Sequence, residues 1–318
     1  MKLFLILLAV AAAFVLLAAY ACFYLAFYVQ RKKSASKDEY EIPPGKIYEP
    51  HRETMVQWIK EVRQMPCEEF TITSYDGLQL AGKFYEYAPN APIEIMFHGY
   101  RGSAERDLCG GVQRCFSMGC SVLLVDQRTS GKSQGNVITF GVKEHRDCLS
   151  WVDFAIRHFG RDVKLILTGI SMGATTVLLA SCHPLPENVI GVIADCGFSS
   201  ARAIIKKVIR QLKLPADLLY PFIRLGARLF GGFDPEEASA LNAVQKSTVP
   251  ILFIHGENDD FVPCDMTREA HAACASPKLL LTVPDAGHGL SYMVDTASYM
   301  QSIEAFSKLI HCDLSPQK

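Results

Sequence analysis

The side chains able to do covalent chemistry arrive along this chain in the order serine, carboxylate, histidine. The stretch Thr168-Gly169-Ile170-Ser171-Met172-Gly173 follows an apolar run at 163–167 and precedes another at 174–180, so it reads as strand, sharp turn and helix. That is the setting of a nucleophile elbow, G-x-S-x-G, whose strained turn lifts the serine clear of a sheet. Glycine suits positions 169 and 173 because neighbouring backbone crowds both. A serine hydroxyl is a weak nucleophile at neutral pH and needs a histidine base, itself oriented by a carboxylate. His288, in Pro284-Asp285-Ala286-Gly287-His288-Gly289, falls in a turn after the last expected strand and is the best-placed base; His271 and His311 sit inside helical patterns. For the acid, Asp259 and Asp260 both follow the penultimate strand, and Asp195 follows the strand before it. The order Ser, Asp, His is satisfied by Asp259 or Asp260. An oxyanion hole needs two backbone N–H groups. Met172, directly after the serine, offers one. Tyr100, in the loop Phe97-His98-Gly99-Tyr100-Arg101-Gly102-Ser103, offers the other.

The elements that must position these groups are legible as periodicity. Residues 70–74 and 78–84 alternate around Asp76-Gly77 and predict an antiparallel hairpin. Short apolar runs then recur at 93–97, 121–125, 164–168, 189–194, 251–254 and 278–283, separated by helical stretches. This alternation predicts an α/β fold: a mostly parallel sheet of about eight strands with helices on both faces, and ligands at the carboxyl ends of the strands. One interval breaks the rhythm. The gap between the runs at 189–194 and 251–254 predicts a helical cap at about 198–247. Between residues 201 and 231 this cap carries Arg202, Lys206, Lys207, Arg210, Lys213, Arg224 and Arg228 against Asp217 alone. Such a surface is either a set of solvated helix faces or a basic face toward anionic lipid or an acidic substrate.

The blocks His98-Gly99-Tyr100-Arg101-Gly102, Asp126-Gln127-Arg128-Thr129-Ser130-Gly131-Lys132-Ser133, the elbow, His255 to Pro263, and Gly287-His288 occur in this order. Over residues 66–312 the chain therefore resembles the α/β-hydrolase superfamily, most closely its serine aminopeptidase-like and esterase-like members. The resemblance implies an α/β-hydrolase fold and a Ser171–His288–Asp259 triad, with Asp259 selected over Asp260 by the register of Val262-Pro263. It also implies that the 126–133 block shapes a turn. The expected reaction is hydrolysis of a carboxylic ester, thioester or amide through an acyl-enzyme. Acyl transfer or aminopeptidase chemistry on the same triad is the alternative, and a non-catalytic membrane scaffold the remotest one. No cofactor or metal is called for. Gly131-Lys132-Ser133 echoes a phosphate loop, but Asp126 occupies the place of its first glycine, where a carboxylate repels phosphate.

The 318 residues, 49% of them apolar, are enough for a sizeable core. Residues 3–29 stand apart as a charge-free stretch that predicts a single transmembrane anchor, with Tyr20, Phe23, Tyr24, Phe27 and Tyr28 crowding its far end. A signal peptide cleaved after Ala19-Tyr20-Ala21 fits less well, because the apolar run continues past it. Lys2 set against Arg31, Lys32, Lys33 and Lys37 favours a cytoplasmic catalytic domain. Residues 30–65 read as a tether followed by an amphipathic helix at 51–64, and 66–318 as the catalytic domain with its cap. The eleven cysteines contain no C-x-x-C pair and are expected as buried thiols. A net charge of −1 argues against a nucleic-acid partner. The partners expected are a small-molecule or lipid acyl substrate and the membrane.

Overall fold

The computed structural model describes residues 1–30 and 40–314. The cations Arg31, Lys32, Lys33 and Lys37, on which the predicted orientation rests, lie outside the described residues. In chain order the elements are α1 (Lys2–Ala26), α2 (Arg52–Gln64), β1 (Glu68–Thr73), β2 (Gln79–Tyr85), β3 (Ile93–Phe97), α3 (Ala104–Asp107), α4 (Gly111–Phe116), β4 (Ser121–Val125), α5 (Glu144–Phe159), β5 (Leu165–Ile170), α6 (Met172–Ala180) and β6 (Val189–Asp195). They continue with α7 (Ala201–Gln211), α8 (Ala216–Gly226), α9 (Ala240–Val244), β7 (Ile251–Gly256), α10 (Cys264–Ala273), β8 (Lys278–Val283), α11 (Ser291–Val294) and α12 (Thr296–Leu309). The eight strands form one sheet in the order β1-β2-β4-β3-β5-β6-β7-β8. β1 pairs with β2 and β2 with β4 antiparallel; every other pairing is parallel.

Strand residues alternate between two buried layers because successive side chains point to opposite faces. Ile93, Ile95, Phe97, Leu123, Val125, Leu165 and Leu167 pack with Trp151 of α5 and Val177 of α6. Met96, Val122, Leu124, Ile166, Ile193 and Leu252 pack on the other face with Val112 of α4 and Ile303 and Phe306 of α12. Both faces are covered, so the central strands read as continuous apolar runs. The predicted amphipathic helix is α2, and its Met55, Ile59 and Val62 are buried against the domain.

Two features depart from the domain pattern expected of the sequence. The segment between β6 and β7 leaves the body of the domain and returns through a pinched neck, where Ser200 bridges Ser239 and Ala201 N–H donates to Ala238 O at 3.0 Å. α7 and α8 lie beyond this neck, whereas Ala240 and Val244 of α9 belong to the core beside the sheet. The expected cap thus contains one helix that serves the sheet. The expected anchor, α1, is long and apolar enough to cross a membrane but does not stand apart from the domain. Residues 2–17 of α1 project free of the domain, but Ala19, Phe23 and Phe27 are buried. Phe23 and Phe27 share a cluster with Phe140, Tyr220, Ile223 and Phe233. The chain leaving α1 continues this docking through backbone bonds: Val29 N–H donates to Asn136 O at 2.8 Å and Ile138 N–H to Phe27 O at 2.9 Å.

All eleven cysteines are free thiols, most of them buried, as expected. The cap cations are largely partnered. Arg224 and Arg228 both reach Asp234, Arg202 faces Glu236, and Lys206 and Arg210 face Asp217. Of these acids, Asp234 and Glu236 lie just beyond the stretch counted in the sequence.

Candidate active site

Ser171 stands between the last residue of β5 and the first of α6 with φ 57° and ψ −118°. A non-glycine residue at positive φ is costly and persists only where surrounding structure enforces it. The enforcement is visible at the two elbow glycines. A Cβ on Gly169 would lie 2.2 Å from the carbonyl of Gly173, and one on Gly173 would lie 2.0 Å from Phe97 O. Strand and helix approach so closely that only glycine fits at both positions.

The expected base and acid come to this serine from β7 and β8. His288 Nε2 is 2.9 Å from Ser171 Oγ, and His288 Nδ1 is 2.6 Å from Asp259 Oδ2. With Asp259 ionised, Nδ1 carries the proton and Nε2 is left as the acceptor facing the hydroxyl. Asp259 lies in the turn after β7. Its Oδ1 accepts the backbone N–H groups of Phe261 and Val262, each at 2.8 Å. Burial alone would raise its carboxyl pKa, but hydrogen bonds from His255 and His288 and from the Val262 N–H outweigh it and hold the group well below the usual carboxylate range. Of the other two acids considered, Asp260 is exposed and its backbone carbonyl accepts from Lys207 and Gln211 of α7. Asp195 is buried at the end of β6, and burial pushes its carboxyl up to about 6 against the pull of His255 and His288.

The two expected oxyanion donors flank the serine. Met172 begins α6, so its N–H has no carbonyl one turn back to bond. Tyr100 lies in the loop after β3, where the neighbouring Gly99 is so close that a Cβ on it would be 3.4 Å from Ser171 Cβ. Side chains to which sequence reasoning gave no role in the site hold this loop. Gly99 N–H donates to Asp107 at 3.0 Å, and buried His98 accepts from Gln127 N–H at 3.0 Å. Tyr100 Oη donates to Ala26 O at 2.7 Å, while Arg101 donates to Leu25 O at 2.9 Å and Tyr28 O at 3.1 Å. The last turn of α1, whose carbonyls lack helical partners, is therefore capped by the loop that carries the candidate donor. Two further positioning contacts were unforeseen. Tyr48 Oη donates to His288 O at 2.9 Å, and His255 Nε2 sits 2.8 Å from Val262 O beneath the Asp259 turn. His98, Gln127 and His255 lie in the blocks that carry the resemblance, whereas Tyr48 and the latch of Tyr100 and Arg101 onto α1 had no sequence signal, since their partners are distant in the chain.

The 126–133 block is a turn, as the resemblance implied. Asp126 accepts the Lys132 N–H at 3.0 Å, its carboxylate fills the space beside Gly131, and buried Arg128 pairs with Asp147. Among the described residues, one group has metal-ligand spacing: Cys196, Asp259 and His288, with ligating atoms within 4.8 Å of one another. Two of its members already bond each other, and burial holds the Cys196 thiol well above its ordinary pKa, which suits a hydrogen-bonded relay better than a metal. A cleft of about 530 Å³ lies over the serine, walled by Ile47, Tyr48, Met55, Ile170 and Phe261.

Comparison with known proteins agrees with this architecture. The profile of the alpha/beta hydrolase fold matches residues 95–241, and that of TAP-like proteins matches 233–306. An uncharacterized protein of Bacillus subtilis (strain 168), YqkD, is 28% identical over 76% of this chain and 80% of its own length. The thiohydrolase aneE of Aspergillus aculeatus is 27% identical over 63% of each chain. Among solved structures, the Pyrococcus furiosus esterase Pf2001 superposes with a TM-score of 0.66 at 21% identity, over 89% of this chain and 98% of the esterase. Sheet order, strand-end elbow and both family profiles lead to one assignment: the chain belongs to the α/β-hydrolase superfamily.

Proposed function

We propose that this α/β hydrolase is a serine hydrolase that cleaves a carboxylic ester or thioester through an acyl-enzyme. The observation that carries the reading is the unbroken relay from Ser171 Oγ through His288 to Asp259, at 2.9 and 2.6 Å. Ser171 Oγ attacks the acyl carbonyl while its proton passes to His288 Nε2, and Asp259 stabilises the imidazolium. The oxyanion faces the N–H groups of Met172 and Tyr100, each such donor being worth about 3 kcal/mol to the transition state. His288 returns the proton to the leaving alcohol or thiol. A water then attacks the acyl-enzyme, giving its proton to the same nitrogen, and the acid leaves as Ser171 is restored.

The cleft favours an acyl chain over a peptide. Its walls are mainly apolar, and Arg101 on its rim also lines a groove of about 600 Å³ bordered by Tyr24, Leu25 and Tyr28 at the end of α1. A cleft that opens beside a membrane anchor suits the acyl ester of a lipid. A fluorophosphonate probe tests the chemistry: the native protein is expected to label at Ser171, and Ser171→Ala to lose all labelling. Undiminished labelling of Ser171→Ala would refute the assignment. A chain-length series of esters, with turnover confined to short soluble ones, would refute the lipid preference.

A further inference from the structure

We propose that the end of α1 is a positioning element of the oxyanion hole: its carbonyls hold Arg101 in a strained backbone conformation and so aim the Tyr100 N–H at the acyl oxygen. The proposal rests on the serine-hydrolase reading and holds whether or not α1 crosses a membrane.

The strain lies beside the nucleophile. Gly99 to Gly102 form a tight turn, closed by Gly102 N–H donating to Gly99 O at 3.2 Å, with Tyr100 and Arg101 at its corners. Arg101 takes φ 51°, the left-handed region, where a turn of this kind ordinarily places glycine. Arginine lacks the short polar side chain that lets Asn and Asp adopt this conformation readily. Such a backbone persists only where its surroundings enforce it.

The enforcement comes from one place. Arg101 Nη2 donates to Leu25 O at 2.9 Å and to Tyr28 O at 3.1 Å, and Tyr100 Oη donates to Ala26 O at 2.7 Å. The Tyr100 ring lies 5.1 Å from that of Phe140, which Phe27 meets edge-on at 5.7 Å. Carbonyls in the last turn of a helix have no partner within it, so the latch breaks no helical bond. The Tyr100 N–H therefore stands between Gly99, pinned by Asp107, and Arg101, pinned by α1. Freed from α1, Arg101 relaxes to negative φ and the peptide planes of the turn swing with it. A donor that no longer faces the oxyanion is lost to the transition state. The N-terminal helix is thereby part of the catalytic unit rather than a separable attachment.

Three substitutions in the full-length protein test this by ester turnover. Arg101→Met keeps the stem and loses the donors, Arg101→Lys keeps a donor for the α1 carbonyls, and Arg101→Gly accepts the φ without the latch. Arg101→Met is expected to lower kcat at least roughly tenfold, short of the 10²–10³ for outright loss of a donor, with KM changed less than about twofold. Arg101→Lys and Arg101→Gly should each exceed Arg101→Met in kcat by at least about fivefold. The inhibition constant of an alkyl trifluoromethyl ketone, whose adduct with the serine bears an oxyanion, should rise across the series as kcat/KM falls. A latch that only fastens α1 would leave the Met and Gly variants equally active, and that result would overturn the proposal. Native kcat in Arg101→Met would overturn it, as would a ketone affinity that stays constant while kcat drops. Arg101→Lys no better than Arg101→Met would overturn the part given to the α1 carbonyls. Equal loss in all three with KM raised would overturn it in favour of Arg101 meeting the substrate itself. A native protein that neither turns over esters nor labels with fluorophosphonate would sink the hydrolase reading and this proposal together; native turnover with an unimpaired Met variant sinks the proposal alone.

Discussion

Replacing Asp195 with asparagine separates the two buried carboxylates that stand near His288. Asp195 is buried, its Oδ1 has no hydrogen-bond partner among the described residues, and its carboxyl is pushed up to about 6 from 3.8. Its folded pKa is thus raised above the unfolded one, so the folded protein holds this proton more tightly. The associated stability is complete below the unfolded value, declines as pH rises toward about 6, and is level above that. Ionising Asp195 in the folded state costs about 3 kcal/mol at about pH 7.5, and about 1 kcal/mol of that is already incurred at about pH 4.5. Asparagine removes the whole pH-dependent part. The unpaired amide it introduces costs about 1–3 kcal/mol, equally at both pH values, and cancels in the comparison. Urea unfolding of wild type and Asp195→Asn at the two pH values should therefore show the variant gaining about 2 kcal/mol, relative to wild type, on going from acid to neutral. Turnover at neutral pH should survive this change. Asp259→Asn should instead drop kcat by about 10⁴, because an amide donating to Nδ1 selects the wrong imidazole tautomer. A stability difference that does not move with pH, or equal loss of turnover in the two variants, would refute the division of labour drawn here.

Two further outcomes follow from close packing. Gly173→Ala would place a methyl 2.0 Å from Phe97 O, so strand and helix must part; a stability loss of at least about 1–3 kcal/mol is expected by urea unfolding, and unchanged stability would contradict the geometry. A chain that begins at Ala18 keeps the docked face of α1, whereas one that begins at Gln30 strips Phe23 and Phe27 from their cluster and forfeits about 3–6 kcal/mol of burial. The shorter chain should melt lower and aggregate, and equal melting temperatures for the two would show that the docked turns contribute nothing.

The local periodicities alone fixed which residues would form strands and where the reactive groups would fall. Alternation at 70–84 marked the opening hairpin, the short apolar runs marked the parallel strands, and glycines at 169 and 173 marked a turn with no room for a side chain. Ser171 and His288 could be singled out because each follows such a run and a parallel sheet gathers its strand ends on one edge, whereas the residues left Asp259 and Asp260 both open until the family resemblance selected Asp259. Contacts between distant segments left no such trace. The burial of a second carboxylate, Asp195, within reach of the field of His288 is visible only in space. Latching of Tyr100 and Arg101 onto the last turn of α1 joins residues that share no periodic pattern. Glu94, which reads as an interruption of an apolar strand, is accommodated by Arg114 at 2.6 Å. The N-terminal apolar stretch looked separable because hydropathy records only that a stretch is apolar. Whether an apolar face meets lipid or protein is decided by what packs beside it, and only the folded chain brings α8 against Ala19 and Phe23.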